Sequence, residues 1–147
     1  MPRRVQCVLA QSFLFVIATT SLASTARADE KAPEPIYAKA LEPGDTIMFV
    51  APAKYLDKDR VMLAKQRLEE RGYQVKLPEN LFRKYGFLGG TDEERAAEIM
   101  AAFTDPEVDA IFPGTGGYGT TRIVDKLDYD VIRRNPKIFI GLFLCRK

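Results

Sequence analysis

The sequence predicts an α/β fold in which an open parallel sheet of about four strands lies between layers of helices. Two observations indicate this three-layer arrangement. Short, almost wholly apolar runs such as residues 46–51 suit strands that are covered on both faces. Segments with apolar residues at helical spacing separate these runs, and the alternation of strand and helix predicts parallel strands joined by right-handed crossovers.

The first predicted elements are a strand and a helix. Residues 46–51 form the strand, which follows a turn at residues 43–45 that contains proline and glycine. Either Asp57 or Asp59 suits the N-cap of the next helix. That helix is expected to end near Gly72, because glycine is common just past the last helical turn.

A second strand and a second helix follow. Residues 73–77 predict the strand, since they alternate in polarity and a proline comes directly after them. Thr91 and Glu94 have the spacing of a capping box, in which each side chain accepts a hydrogen bond from the other residue's backbone N–H group. The helix that begins there is expected to end at Asp105, which precedes a proline.

The loop between these two elements, residues 78–90, is rich in aromatic side chains. We interpret Tyr85 and Phe87 as core or interface residues rather than as a binding platform. The later predicted elements are a third strand (108–113), a glycine loop (114–119), a short helix (120–127), a helical turn capped by Asp128 (130–134) and a fourth strand (138–141).

Residues 1–28 predict a cleavable export signal. Arg3 and Arg4 give a positive start, residues 5–22 are mostly apolar and uncharged, and Ala28 closes a small-x-small cleavage motif. A membrane anchor is the alternative, since about 18 such residues nearly span a bilayer, but polar side chains dilute the run. The expected location is the periplasm or the cell envelope. The predicted division of the chain is a signal peptide (1–28), a tether (29–40) and one domain (41–147).

Composition excludes several kinds of chemistry. The chain has no histidine, so on its own it cannot build a Ser-His-Asp or Cys-His site or an imidazole zinc site. Its two cysteines are too few for a disulfide framework or a four-cysteine metal site. The predicted signal holds three of the 22 basic residues and none of the 20 acidic ones, so the remainder carries a formal charge of −1 rather than +2. We therefore expect no nucleic-acid partner, no metal and no cofactor.

Three interpretations of the glycine loop are open. Gly114, Gly116 and Gly119 fit the spacing of a dinucleotide-binding turn, but that turn belongs after a first strand and needs an acidic partner that is not found at the right distance. A tight turn that requires positive φ is the second interpretation. The third is a cradle of backbone N–H groups that holds an anion or an oxyanion beside a catalytic residue.

Motifs in a fixed order over residues 41–141 carry a resemblance to a known family. They read GDTIMFVAP, GGTDEERA, DPEVDAI, GGYGTTR, LDYD and NPKIFIG. This order resembles the LD-carboxypeptidase family of serine peptidases, which includes the muramoyltetrapeptide carboxypeptidases and the microcin-immunity peptidases. The resemblance covers the N-terminal domain of that family.

The resemblance implies a serine peptidase that cleaves peptidoglycan stem peptides between an L-centre and a terminal D-amino acid. It implies that the loop formed by Gly116, Gly117, Tyr118 and Gly119 lends a backbone N–H group to an oxyanion hole. In the family the nucleophilic serine follows the fourth strand, in a Gly-Tyr-Ser-Asp run, and a second domain supplies a glutamate and a histidine. Phe143 stands at the position of that serine in this sequence.

This departure predicts a truncated or frame-shifted copy that lacks the C-terminal domain, because one dropped T in codons such as GGT-TTA-TTC restores Gly-Tyr-Ser. We expect no peptidase activity from such a chain. The alternatives are a non-catalytic module that binds peptidoglycan or a partner subunit and, as a weaker one, nucleotide binding by the glycine loop. An uncovered apolar flank would favour a homodimer. Arg122 is a candidate contact for a substrate carboxylate.

Overall fold

The computed structural model describes residues 34–141, which form a four-stranded, all-parallel sheet with helices on both faces. The strand order is β2-β1-β3-β4, so the predicted fold class is confirmed. The predicted signal segment, the start of the tether and Phe143 lie outside the described residues. The elements are β1 (Thr46–Val50), α1 (Lys58–Glu69), β2 (Gln74–Lys76), α2 (Asp92–Thr104), β3 (Ala110–Pro113), two 3₁₀ helices (Tyr118–Arg122 and Val124–Lys126), α3 (Tyr129–Arg134) and β4 (Ile138–Phe139).

Alternate residues of the central strands β1 and β3 contribute to two separate cores. Met48 and Val50 pack with α2 on one face of the sheet, together with Ile111 of β3. Phe49 and Phe112 lie in the core on the face covered by α1, and their rings are 5.4 Å apart. Successive side chains of a strand point to opposite faces, so a strand covered on both faces is apolar at nearly every position.

Helix α2 begins at the predicted capping box. The Glu94 backbone N–H donates to Thr91 Oγ1 at 3.2 Å, and the Thr91 N–H donates to the Glu94 carboxylate at 2.8 Å. Ile99 and Phe103, one helical turn apart, are buried against the sheet. Phe103 also stacks on Phe139 of β4, with 6.2 Å between ring centroids. The helix therefore packs across the sheet from β1 to β4.

Helix α1 begins at the first of its two candidate caps, since Asp57 accepts a hydrogen bond from the Arg60 N–H at 3.1 Å. The helix ends at Glu69, and Gly72 adopts the left-handed conformation (φ +87°) expected of a glycine after a helix. Met62 and Leu63 on α1 are exposed. A homodimer through such a surface stays a prediction.

The helix predicted over residues 120–127 is wrong in type, because the segment forms two short 3₁₀ helices. Thr120, Thr121, Ile123 and Val124 are β-branched, which disfavours an α-helix. The carbonyl of Gly119, which an α-helix would pair with Ile123, instead accepts from Arg95 at 2.7 Å. The Ile123 N–H therefore donates to the Thr120 carbonyl, three residues back, at 3.1 Å.

The core interpretation of two loop aromatics is also wrong. The exposed fractions of Tyr85 and Phe87 are 63% and 58%. The loop instead buries Leu81 and Leu88. The Tyr85 and Leu88 backbones pair with each other in a tight turn, with Leu88 on the buried side and the rings of Tyr85 and Phe87 in solvent. The alternative that these aromatics form an interface stays a prediction.

Strands β3 and β4 are shorter than predicted. Residues 108–109 belong to the turn after α2, where the Val108 N–H donates to the Asp105 carbonyl at 3.2 Å. Lys137, just before β4, donates from Nζ to the carbonyls of Ala102 (2.9 Å) and Asp105 at the end of α2. Burial lowers the pKa of Lys137. Its ammonium group satisfies helix carbonyls that have no partner within the helix.

Replacement of this lysine tests how much the helix C-terminus depends on it. Lys137→Met is expected to lower the free energy of unfolding by about 1–2 kcal/mol, because two carbonyls lose a charged donor. Lys126→Met, which removes the exposed pair with Glu93 (3.0 Å), is the control and should leave the free energy of unfolding nearly unchanged. Urea denaturation followed by circular dichroism measures both, and equal losses would contradict the assigned role.

Candidate functional site

The carboxyl edge of the sheet has the geometry of a ligand site between β1 and β3. The connection after β1 runs to α1 on one face, whereas the connection after β3 runs to the 3₁₀ helices and α3 on the other. Ligands of open α/β sheets bind in the crevice that such diverging connections leave. The glycine loop, residues 114–119, lies at this point.

Two glycines of the loop are fixed by close packing. A Cβ atom at Gly114 would lie 2.6 Å from Leu56 Cδ1. A Cβ atom at Gly119 would lie 2.6 Å from Leu88 Cδ2 and 3.0 Å from Ala53 Cα. The loop therefore rests directly on the segments that follow β1 and β2, and larger residues would push it away from them.

Gly117 is required for a different reason. Its φ is +151°, a conformation that L-residues rarely adopt, although a Cβ atom there would have room, with Ala53 Cβ 3.7 Å away. Gly117 directly precedes the first 3₁₀ helix, and its carbonyl accepts from the Thr120 N–H at 3.3 Å. Tyr118, the next residue, is 78% exposed.

The loop presents unpaired backbone donors. Within residues 34–141, the N–H groups of Gly116, Gly117 and Tyr118 make no hydrogen bond. Successive N–H groups of this kind, at a turn that leads into a helix, form concave sites for anions. The structure thus places Gly116, Gly117, Tyr118 and Gly119 together at the carboxyl edge of the sheet. Gly141 lies against the loop's strand, since a Cβ atom on it would be 3.0 Å from Pro113 Cγ.

A cleft of about 380 Å³ opens beside the loop on the α1 side. Its lining includes Lys54, Arg60 and Thr115. The ammonium groups of Lys54 and Lys84 lie 5.2 and 4.5 Å from the ring centre of Tyr55. Asp57 also lines the cleft, so its charged lining is two cations and one carboxylate, a small net positive charge that favours a ligand with a carboxylate.

Arg95 of α2 is fully buried beneath these loops (0% exposed). Its guanidinium donates to the carbonyls of Gly119 (2.7 Å), Gly90 (3.3 Å) and Pro52, and to the Asp92 carboxylate. Three carbonyls from three separate loops therefore share one cation. A guanidinium suits this task because it has five N–H donors in a fixed plane.

Glu98, one turn further along α2, is the acidic counterpart of Arg95. One carboxylate oxygen accepts from the Ala51 N–H at 2.6 Å, and the other accepts from Arg83 Nη2 at 2.7 Å. Burial raises the pKa of Glu98, and the Ala51 N–H and the Arg83 charge oppose this rise only in part. The first residue after β1 is thus fixed by a buried acid.

Arg122, predicted as a substrate contact, pairs with Asp92. Its Nε and Nη2 lie 3.1 and 2.9 Å from Asp92 Oδ2. Burial raises the pKa of Asp92, but the hydrogen bonds from Arg122 and Arg95 outweigh it and hold that pKa below its usual value. Arg122 is half-exposed. Its contact with a substrate stays a prediction.

Sequence reasoning missed Arg95 and Glu98. The signal that could have found them is the helical spacing of α2, on which Arg95 shares a face with Ile99 and Glu98 shares one with Ala102. A charged residue at a core-facing position must have a buried partner. Those partners are largely backbone groups of distant loops, which no spacing rule identifies.

Within residues 34–141, no group of three or more Cys, Asp or Glu side chains is arranged to hold a metal ion. No helix in the same range is long and apolar enough to cross a membrane.

Comparison with known proteins bears on what this edge does. Residues 47–142 match the family described as the LD-carboxypeptidase N-terminal domain. A probable murein peptide carboxypeptidase of Bacillus subtilis is 45% identical over 103 residues, which are 70% of this chain and 32% of that protein. The chain therefore spans about a third of the length of the curated relatives it matches.

Two solved structures share the fold. The microcin C7 self-immunity protein MccF in complex with glutamyl sulfamoyl guanosine matches with a TM-score of 0.70 and 30% identity over 73% of this chain and 33% of that one. A muramoyltetrapeptide carboxypeptidase from Oxalobacter formigenes matches with a TM-score of 0.60 and 32% identity, over 67% of this chain and 33% of that one.

The buried acid beneath the site gives a pH-dependent prediction. Because burial raises the pKa of Glu98, its contribution to stability is present below about pH 4.5 and is lost as the pH rises through the folded-state pKa. Glu98→Gln removes this dependence. The urea midpoint of the Gln variant, relative to the unaltered chain, should therefore rise between about pH 4 and pH 7.

Glu93→Gln is the matched control, since Lys126 lowers the pKa of Glu93. Its midpoint relative to the unaltered chain should fall as the pH rises from about 3 to 5. If the urea midpoints of both variants, each relative to the unaltered chain, change in the same direction as the pH rises, the assignment of a raised pKa to Glu98 is wrong.

Proposed function

Because the chain belongs to the LD-carboxypeptidase family, as its N-terminal domain, we propose that it provides the oxyanion-binding half of a serine-type carboxypeptidase site. The substrate is a peptidoglycan stem peptide. The reaction is hydrolysis of the bond between an L-centre and a terminal D-amino acid. The names of two relatives, a murein peptide carboxypeptidase and a muramoyltetrapeptide carboxypeptidase, support this substrate class.

The observation that carries the proposal is the row of unpaired N–H groups at Gly116, Gly117 and Tyr118. When a nucleophile attacks an amide carbonyl, negative charge develops on the carbonyl oxygen. Backbone N–H groups that are already fixed in place stabilise that charge without reorganisation, and one such donor contributes on the order of 10²–10³-fold in rate. The loop meets this requirement at the edge where a ligand of the sheet binds.

The remaining groups of the reaction come from outside residues 34–141. A serine attacks the carbonyl, a histidine takes the serine proton and returns it to the leaving amine, and a carboxylate orients the histidine. The chain has no histidine, and Phe143 stands where the family resemblance places the serine. The domain's own part is to hold the substrate carbonyl and, through the basic cleft, the carboxylates of the stem peptide.

The proposed location is the periplasm or the cell envelope, reached after removal of residues 1–28. The positive start, the apolar run and the cleavage motif at Ala28 support export. The proposed substrate is a component of the cell wall, which lies outside the cytoplasmic membrane. A signal-peptidase cleavage assay followed by N-terminal sequencing tests this step.

A chimera tests whether the domain is competent for the reaction. Residues 41–141 replace the matching segment of the Bacillus subtilis relative, which supplies everything after Gly141. This chimera is expected to release D-alanine from a disaccharide tetrapeptide. Gly117→Ala should lower its kcat by at least about tenfold, because an alanine resists the required φ and displaces the N–H donors.

Gly44→Ala is the control for this chimera. Gly44 also has positive φ (+104°) and also has room for a Cβ atom, but it precedes β1 at the opposite edge of the sheet. The chimera with Gly44→Ala should lose about as much stability as the chimera with Gly117→Ala, but its kcat should stay within about twofold of the unaltered chimera. An inactive chimera, or equal losses of kcat in the two variants, would contradict the proposal.

The purified chain with Phe143 makes a separate prediction. A phenyl ring cannot attack a carbonyl, so the chain is expected to bind the tetrapeptide and release no D-alanine above background. Isothermal titration and chromatography of the products measure the two properties. Release of D-alanine by this chain would show that another group in it acts as the nucleophile.

A further inference from the structure

The guanidinium of Arg95 connects three of the loops at the carboxyl edge, those that follow β1, β2 and β3. Pro52 follows β1, Gly90 ends the loop that follows β2, and Gly119 ends the glycine loop after β3; Arg95 donates a hydrogen bond to the carbonyl of each. These residues lie far apart in sequence, so no local turn fixes their relative positions. The side chain is fully buried, so water does not compete for these bonds.

The hydrogen bond from Arg95 to the Gly119 carbonyl affects where the unpaired N–H groups of the loop lie. A peptide unit is planar, so fixing the Gly119 carbonyl fixes the orientation of the whole unit between Gly119 and Thr120. The Thr120 N–H in that unit donates to the Gly117 carbonyl at 3.3 Å. Arg95 thus acts, through the peptide unit between Gly119 and Thr120, on Gly117, the residue of the loop with positive φ.

The charge balance argues against a purely stabilising role. Within the described part of the chain, the carboxylate partner of Arg95 is Asp92, which it shares with Arg122. A buried cation with half a counter-ion costs more desolvation free energy than an apolar side chain of the same volume. What such a residue provides is a fixed geometry and a positive potential beneath the site, both of which favour a developing oxyanion.

We propose that Arg95 is a positioning residue, which holds the glycine loop in the shape that aims its backbone N–H groups at the oxyanion. The catalytic part of this inference rests on the proposed function. The effect on the shape of the loop does not, because it is a property of residues 34–141 by themselves.

Amide hydrogen exchange in the full chain tests the effect on the loop. The variants are Arg95→Met, Arg95→Lys and, as a matched control, Lys137→Met, which also removes a cation that donates to two carbonyls but at the opposite edge. The measured quantity is the exchange rate of the Thr120 and Ile123 amides relative to those of β1, because this ratio cancels a general loss of stability.

Arg95→Met should raise this ratio at least about tenfold over the unaltered chain, and Lys137→Met should leave it within about twofold. Arg95→Lys, which keeps the charge but has fewer donors, should give an intermediate ratio and decides the question if the Met variant does not fold. Equal ratios for the Arg95 variants and the control would overturn the proposal.

Steady-state kinetics of the chimera test the link to catalysis. Arg95→Met should lower kcat on the order of 10²-fold and change KM by less than about threefold, because the misplaced donors act on the transition state. Arg95→Lys should recover about tenfold of that loss. A raised KM with unchanged kcat, or a loss matched by Lys137→Met, would overturn the positioning role.

The two assays separate the two hypotheses. If the unaltered chimera is inactive, the proposed function fails, and the exchange ratio still decides whether Arg95 fixes the loop. If the chimera is active and the exchange ratio does not respond to Arg95, the proposed function stands and the positioning role is wrong.

Discussion

The carboxyl edge of the sheet depends on two buried ionisable side chains of α2, which satisfy backbone groups that no strand can pair. Loops leaving a parallel sheet carry carbonyl and N–H groups that have no ladder partner, and burying them unpaired is costly. Arg95 supplies donors to the carbonyls of three loops, and Glu98 supplies an acceptor to the Ala51 N–H. The helix thereby fixes the loops from below, and its capping box fixes the helix in turn.

Features encoded by neighbouring residues could be predicted from the sequence. The capping box at Thr91 and Glu94 needs only a spacing of three residues, and the structure has it in full. The apolar runs that became β1 and β3 reflect burial on both faces, so the parallel sheet followed from composition and order alone. The glycine loop was located because glycines are required where packing is close or φ is positive, as at Gly119 and Gly117.

Features that depend on distant partners could not be predicted. The 120–127 segment reads as a helix, but Arg95 takes the Gly119 carbonyl that an α-helix would use, and the chain tightens into 3₁₀ turns. Tyr85 and Phe87 read as core residues, but they lie in a tight turn closed by the backbone pair of Tyr85 with Leu88, and their rings are in solvent. In both cases the deciding contact involves a backbone group. Every residue has a backbone carbonyl, so the sequence does not mark which of them accepts a bond from a distant side chain.

In the proposed site this domain supplies the oxyanion donors, and the reactive side chains come from elsewhere. The contacts of the loop explain this arrangement. Among the described residues, Leu56, Ala53 and Leu88 shape the glycine loop by packing, and Arg95 shapes it by a hydrogen bond to the Gly119 carbonyl. These contacts involve neither a nucleophile nor its base. An oxyanion site is effective in proportion to how little it must reorganise during the reaction. In the proposed site, a loop held by these contacts is a preorganised donor, to which a serine and a histidine from elsewhere are brought.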